Sequence, residues 1–499
     1  MTTTAPGPRS GPLTHADGRE VHKGMALLVL AISQLMVVLD ATIVNVALPD
    51  IARDLDITSQ NDLSWIVTGY TLTFGGFLLL GGKLADRLGR RKVFILGAVL
   101  FAVASLLGGL AGNLGLLNVA RLLQGLGAAL MSPAALSLLT VVFEEGEERN
   151  RALGIWAAIT AGGAAIGLIL GGVLTEYASW RWVLFVNIPI AAFAVFGALR
   201  FVPESRDARA SGFDVPGAVL VTGGLVALVY ALVKGNDLGW GSVQTVGTLL
   251  LAAVLLVAFV VVQRRSADPL VDFRLFRSRT LLGADLGSLF IGAGIFAVFF
   301  FMILWMQQIN GWSPIESGFA FLPMTVCIGI AAGIASQLLG RVGPRPLLIG
   351  GPALAAAGML FLALRLEPGS SYLGVVLPAL VLIALGMGFA FVALTSAAVA
   401  GVPQEDAGVA SALLNAGQQI GGALGLAILT AVSTARTEAL GVGQPGTPQF
   451  VDNLVEGWSA GFLVAAAFLV ISGGIAASLV RVSKEDAAAA LKEAGAAAG

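Results

Sequence analysis

Three ionisable side chains fall deep inside long apolar runs: Asp40, Arg121 and Asp285. A charge at membrane mid-depth costs at least ~2.5 kcal/mol, so such a group normally faces a cavity or a partner and serves transport. Two carboxylates and a guanidinium can take up and release protons or pair with a cation. Burial and a nearby arginine act on a carboxyl in opposite senses, and the balance can leave an acid titrating within reach of physiological pH. The two histidines, His15 and His22, lie in the N-terminal tail, so carboxylates must do this work. The polar residues Gln34, Asn45, Gln124, Asn415, Gln418 and Gln419 can line a cavity or act as glue between helices. The run Phe296, Phe299, Phe300, Phe301, Met302, Trp305 and Met306 is soft and aromatic. It suits greasy, variable ligands or plain core and lipid contact.

The elements carrying these residues are membrane spans. Of 499 residues, 57% are hydrophobic, 12% charged and 65 are glycine. Soluble domains run at about 25% charged. A span needs roughly 20 apolar residues, and fourteen stretches qualify: 25–48, 63–82, 93–113, 116–141, 152–175, 182–201, 215–233, 245–263, 280–308, 317–340, 346–364, 373–401, 407–432 and 458–481. The expected fold is all-α. Residues 1–24 and 483–499 read as cytoplasmic tails, the first disordered and the second a frayed helix. The first apolar run is too long for a signal peptide and lacks a cleavage-like site after it. One cysteine, Cys327, forms no internal disulfide, and a net charge of −1 gives no footprint for nucleic acid.

Lysine and arginine set the orientation. With the N-terminus inside, 23 of the 29 basic residues fall in inner segments, and only Arg53, Arg181, Lys234, Arg365 and Arg436 fall outside. Both termini are therefore expected in the cytoplasm and the protein in the cytoplasmic membrane. Asp40 then lies about eight residues from the outer end of span 1 and Arg121 about five from that end of span 4. At ~1.5 Å per residue their depths differ by about 5 Å, so they should share an outer-half cavity and sense each other. A purely structural ion pair is the alternative. Asp285 lies nearer the cytoplasm, as a second proton or cation site or a group reaching the interface.

An internal repeat appears at an offset of 254. Arg87, Gly89 and Arg91 map onto Arg341, Gly343 and Arg345, and Gly163, Gly167 and Gly171 map onto Gly417, Gly421 and Gly425. Two six-span halves follow, 25–201 and 280–482, separated by 202–279 with two inserted spans. Parallel halves place a substrate site at their interface near the midplane.

Four motifs accompany the repeat. Asp40-x-Thr42-x-x-Asn45-x-Ala47-x-Pro49 ends span 1. Gly82-Lys83-Leu84-Ala85-Asp86-Arg87-Leu88-Gly89-Arg90-Arg91-Lys92 joins spans 2 and 3. Arg121-Leu122-Leu123-Gln124-Gly125-Leu126-Gly127 opens span 4, and Gly163-x-x-x-Gly167-x-x-x-Gly171-Gly172 lies in span 5. With Trp180-Arg181-Trp182 and Asn187-Ile188-Pro189, the chain closely resembles the fourteen-span drug:proton antiporters (EmrB/QacA type) of the major facilitator superfamily. It departs from their pattern at Leu168, where proline is usual, and at Gln418-Gln419, where Arg-Gln is frequent. The resemblance implies a gating role for the 2–3 loop.

Charge gives that role a mechanism. Asp86 can rest on the positive N-terminus of span 13. Arg87, Arg90 or Arg91 can meet Glu405 or Asp406, while Glu144, Glu145, Glu147 and Glu148 approach Arg341 and Arg345. The glycines at i, i+4, i+8 let backbones approach, as tight packing or as a sealed hinge between halves (Gly163, Gly167, Gly171, Gly172, Gly417, Gly421, Gly425). There is no phosphate-binding loop for nucleotide, no nucleophile–base set and no metal cluster at membrane depth. The expected function is proton-driven export of amphipathic drugs or antibiotics, without a cofactor, by a chain working as a monomer. Export of a lipid or self-made natural product, or a metabolite permease, are the alternatives.

Overall fold

A computed structural model describes residues 22–144, 146–206, 214–266, 268–400, 402, 407–441 and 447–481. The expected tails, Glu145, Glu405 and Asp406 lie outside or almost wholly outside these residues. Fourteen helices are long and apolar enough to cross a membrane, and a helix satisfies every backbone group that lipid cannot. They are α1 (Lys23–Asp54), α2 (Gln60–Leu88), α3 (Arg90–Gly109), α4 (Leu114–Val142), α5 (Glu147–Tyr177), α6 (Trp182–Phe201), α7 (Val215–Leu238), α8 (Val243–Arg265), α9 (Arg279–Ile309), α10 (Pro314–Val342), α11 (Pro344–Arg365), α12 (Tyr372–Ala400), α13 (Ala407–Ala439) and α14 (Pro448–Leu479). The protein is a multi-pass membrane protein.

Polar caps mark where helices leave the apolar layer. Ser59, Asn113, Asp214, Ser242, Ser278 and Thr447 each accept a first-turn amide. Ser313 and Glu316 form a reciprocal capping box. Four helices are irregular: α6 breaks at Val186, α9 ends in a wide turn over Trp305–Ile309, α10 breaks at Phe321, and α12 starts with a wide turn over Tyr372–Val376. The last helix begins ten residues before the expected 458. Its polar first turns are tied down by Arg436–Glu456 (2.7 Å) and by Asn453 donating to Gly441 O (2.7 Å), so apolarity alone understates its length.

The repeat has a structural counterpart. Gly89 and Gly343 turn the 2–3 and 10–11 loops with φ of +116° and +77°, values glycine tolerates best. Arg91 donates to Val202 O (3.1 Å) and Arg345 to Ala477 O (2.5 Å). Each arginine thus ties its loop to the end of the last helix of its own half.

The halves meet on the face remote from the chain termini. Gln307 donates to Val46 O (3.0 Å), the Ile315 amide to Glu176 (3.2 Å), Thr434 to Asn61 (3.3 Å) and Trp458 to Gln60 (3.1 Å). A continuous apolar cluster there runs from Ile43, Val46 and Leu168 into Ile295, Met302 and Phe321. These four hydrogen bonds all lie on that far face, and on the termini face side chains of both halves are exposed. Arg151 and Ile155 of α5 and Val409 and Asn415 of α13 are exposed. The cleft between the halves therefore opens on the termini face.

The inserted pair is asymmetric. α7 lies against both halves: its Leu225, Val229 and Val233 join Leu72 of α2 and Ala423 and Ala427 of α13 in one cluster. At its far end Lys234 pairs with Asp62 (2.5 Å) and Asn236 donates to Ala431 O (2.8 Å). α8 touches the rest mainly through α7 and presents Val243, Leu250, Leu251, Val254 and Val257 outward, an apolar surface suited to acyl chains.

Candidate functional site

Asp40 and Arg121 form one ion pair. The Arg121 guanidinium donates to Asp40 Oδ2 at 2.6 Å, and both side chains are almost wholly buried. Gln124, one turn further along α4, donates to Asp40 Oδ1 (3.0 Å) while its own oxygen accepts from Arg121 (3.0 Å). Its amide also reaches Ser105 of α3 (2.8 Å). Asn187 donates to Asp40 Oδ1 at 2.8 Å. It occupies the break in α6, where Pro189 can enter the helix without losing an internal bond. Arg121 Nε donates to Ile66 O (2.8 Å), and its guanidinium lies 4.5 Å over the Tyr70 ring. Five helices thus converge on one carboxylate and one guanidinium.

The pair therefore does not face an open cavity, as the sequence led one to expect. A buried charge needs its hydrogen bonds completed, and Gln124 and Asn187 complete them inside the first half, with Ser105 accepting in turn from Gln124. Gln124 is a partner of the pair and not a lining residue. Asn45 is also buried and turns its amide back to Ala41 O (3.0 Å). Trp305 is buried at the closed face, its indole donating to Glu367 O (3.2 Å). Gln34 accepts from Ser132 (3.1 Å), and Phe299 stacks on Phe321 at 5.3 Å. Asn415 is exposed on the open side, and Gln418 and Gln419 are half-buried. Sequence reasoning missed Tyr70 and Ser105 altogether and quoted Asn187 only as part of a motif.

Asp285 stands apart from this network. It lies on α9 beside α13: a Cβ on Gly417 would sit 3.4 Å from the Asp285 carbonyl. Both carboxylate oxygens are buried, and neither accepts a hydrogen bond among the described residues.

A family model described as Major Facilitator Superfamily matches residues 30–426 and 286–498. The chain belongs to the major facilitator superfamily. Among its relatives, the puromycin resistance protein pur8 of Streptomyces alboniger is 43% identical, covering 93% of this chain and 92% of its own. The cephamycin export protein CmcT of Amycolatopsis lactamdurans is 40% identical over 83% and 85% of the two chains. A solved bacterial homolog of the human lysosomal transporter Spinster, inward-facing and unoccupied, has the same fold, with TM-score 0.65, 18% identity and coverage of 94% and 98%. As a member of this superfamily the protein is a transporter and not an enzyme.

The major facilitator frame locates the remaining residues. In the 2–3 loop Asp86 pairs with Arg90 of its own loop (2.7 Å), and the Arg91 amide donates to Glu204 (3.1 Å). Gly89 abuts Glu204, Gly82 lies near Pro133, and Arg87 occupies the last turn of α2. Lys23 takes Glu148 (2.7 Å) and Glu144 (3.9 Å), so those acids are not on Arg341 or Arg345 with the cleft open. The partners expected for the loop, Glu405 and Asp406, lie outside the described residues.

The glycine stripes correct one expectation. A Cβ at Gly163, Gly167 or Gly171 would strike Val38, Thr42 or Ile43 of α1, and one at Gly417, Gly421 or Gly425 would meet Asp285, Leu289 or Ala293 of α9. Each stripe closes a contact within its own half and not between halves. Only Gly172 of this set meets the other half, against Pro314 and Ile315.

Proposed function

We propose that the protein exports amphipathic drugs or antibiotics across the cytoplasmic membrane in exchange for protons, by alternating access, as a monomer. The basic-residue bias puts the termini face in the cytoplasm, and the cleft then opens inward. The observation that carries the reading is the Asp40–Arg121 pair, buried at membrane depth while the far face is closed. In the inward-facing state three donors meet the Asp40 carboxyl oxygens. Protonation from outside, once the far face opens, removes the attraction to Arg121 and ties proton uptake to the change of state. Moving one charge across 100 mV is worth ~2.3 kcal/mol, so one or two protons suffice to drive uphill export.

The names of the relatives favour antibiotics over other cargo. The test is export in everted vesicles. Wild-type protein accumulates a fluorescent drug only while a pH gradient is imposed; Asp40→Asn, produced at the same level, accumulates none. Gradient-driven accumulation by Asp40→Asn at the wild-type rate would overturn the assignment.

A further inference from the structure

Asp285 is a buried carboxylate that the Asp40 network does not use. It sits two turns into α9, where α13 crosses: Ser288 donates to Leu414 O (2.9 Å), and a Cβ on Gly292 would press on Gln418 O. Neither of its oxygens has a donor among the described residues. Among the described residues the surrounding helices supply no countercharge at that depth. α12 carries no charged residue; α13, over its described residues, carries only Arg436 and Glu438; and α14 carries only Asp452 and Glu456, all at the far face. On the termini side, Arg279 begins α9 about 9 Å away by helical rise, with Arg277 beyond it. Arg481 meets Thr280 through its backbone. Asp40, across the cleft, is occupied by Arg121. Asp285 is only half-buried as a residue, and Asn415, on another face of α13, is exposed on the open side, so the cleft approaches this level.

An ionised carboxylate with no donor and no countercharge is strongly disfavoured away from water. A cation arriving from the cleft supplies what is missing. We propose that Asp285 is the exchange site of the inward-facing state for monovalent lipophilic cations. Empty, it holds a proton. When an ammonium or phosphonium centre docks, the proton passes to water entering by the cleft, and the carboxylate becomes the countercharge of the cargo. One cation enters and one proton leaves, so charge balances at the site. This deepens the reading of proton-coupled export and rests on it, but it separates two acids: Asp40 follows the conformational state, and Asp285 trades proton for cargo.

The test uses the purified full-length protein and tetraphenylphosphonium, a permanent cation. Titration in weakly buffered solution near neutral pH should release about one proton per cation bound. Affinity should rise by up to about tenfold per pH unit while the acid remains protonated. Asp285→Asn should release none and bind weakly without pH dependence. Asp285→Glu, which keeps the carboxyl and guards against a folding artefact, should restore release. Asp40→Asn should still release its proton, although vesicle export fails in it. Wild-type release surviving in Asp285→Asn, release lost in Asp40→Asn, cation binding without proton release, or no binding by wild type would each overturn the assignment. Failure of a pH gradient to drive wild-type export would instead sink the parent reading, and the binding titration is independent of it.

Discussion

Asp40 accepts three hydrogen bonds from α4 and α6, and Arg121 spends its donors on Asp40, Gln124 and Ile66 O. Removing one member leaves the other charge buried and uncompensated, which typically costs ~3–5 kcal/mol. Arg121→Ala should therefore lower the thermal unfolding midpoint of purified protein well below that of wild type. Arg121→Lys should fall between them, because an ammonium cannot reproduce the planar fork that serves Asp40 and Ile66 O together. An unchanged midpoint for Arg121→Ala would contradict the network. The pair itself was legible, since ionised residues within apolar runs are rare and their depths matched. Its neutral partners were not. Asn187, Ser105 and Tyr70 look like ordinary helix residues until folding brings α2, α3 and α6 around α4. Gln124 was legible as polar but drew the wrong surroundings, because helical spacing does not say whether a face meets water or another helix.

At the scale of elements, the fourteen spans were written in composition, and the offset of 254 in the loop arginines and glycines. Which helix each glycine stripe faces was not. A repeat states that two segments are equivalent but is silent on their neighbours. The structure seats α5 on α1 and α13 on α9 so closely that a Cβ at Gly421 would lie 2.0 Å from Leu289 O. That contact is with backbone and cannot be relieved by a rotamer change. Gly421→Leu should thus cost at least the ~1–3 kcal/mol typical of overpacking, read as lost folded yield and a lowered unfolding midpoint. Gly154→Leu is the control, since nothing lies within 4 Å of a Cβ there. Equal effects of the two substitutions would show that the stripe is not a packing seam.

For the whole molecule, two charges of the 2–3 loop are held within the first half, Asp86 by Arg90 and Arg91 by Val202 O. In the latch expected from the sequence, closing the termini face exchanges the Arg90 partner of Asp86 for the start of α13, whose N-terminal dipole favours a carboxylate. Asp86→Asn should slow turnover several-fold in vesicles while leaving the affinity for tetraphenylphosphonium close to wild type; full-speed transport by that variant would refute the latch. The inserted α7 bears on a different question, the route taken by cargo already dissolved in the bilayer. Two side seams separate the halves, one between α2 and α13 and one between α5 and α10. The first is filled along its length by α7, through Leu225, Val229 and Val233, and bolted at the far face by Lys234 and Asn236. The second is joined near the far face, where Gly172 meets Pro314 and Gly318 meets Leu168. Among the described residues α7 thus covers one side seam and no inserted helix covers the other, so the two flanks of this otherwise pseudo-symmetric protein are unequal to the lipids around it.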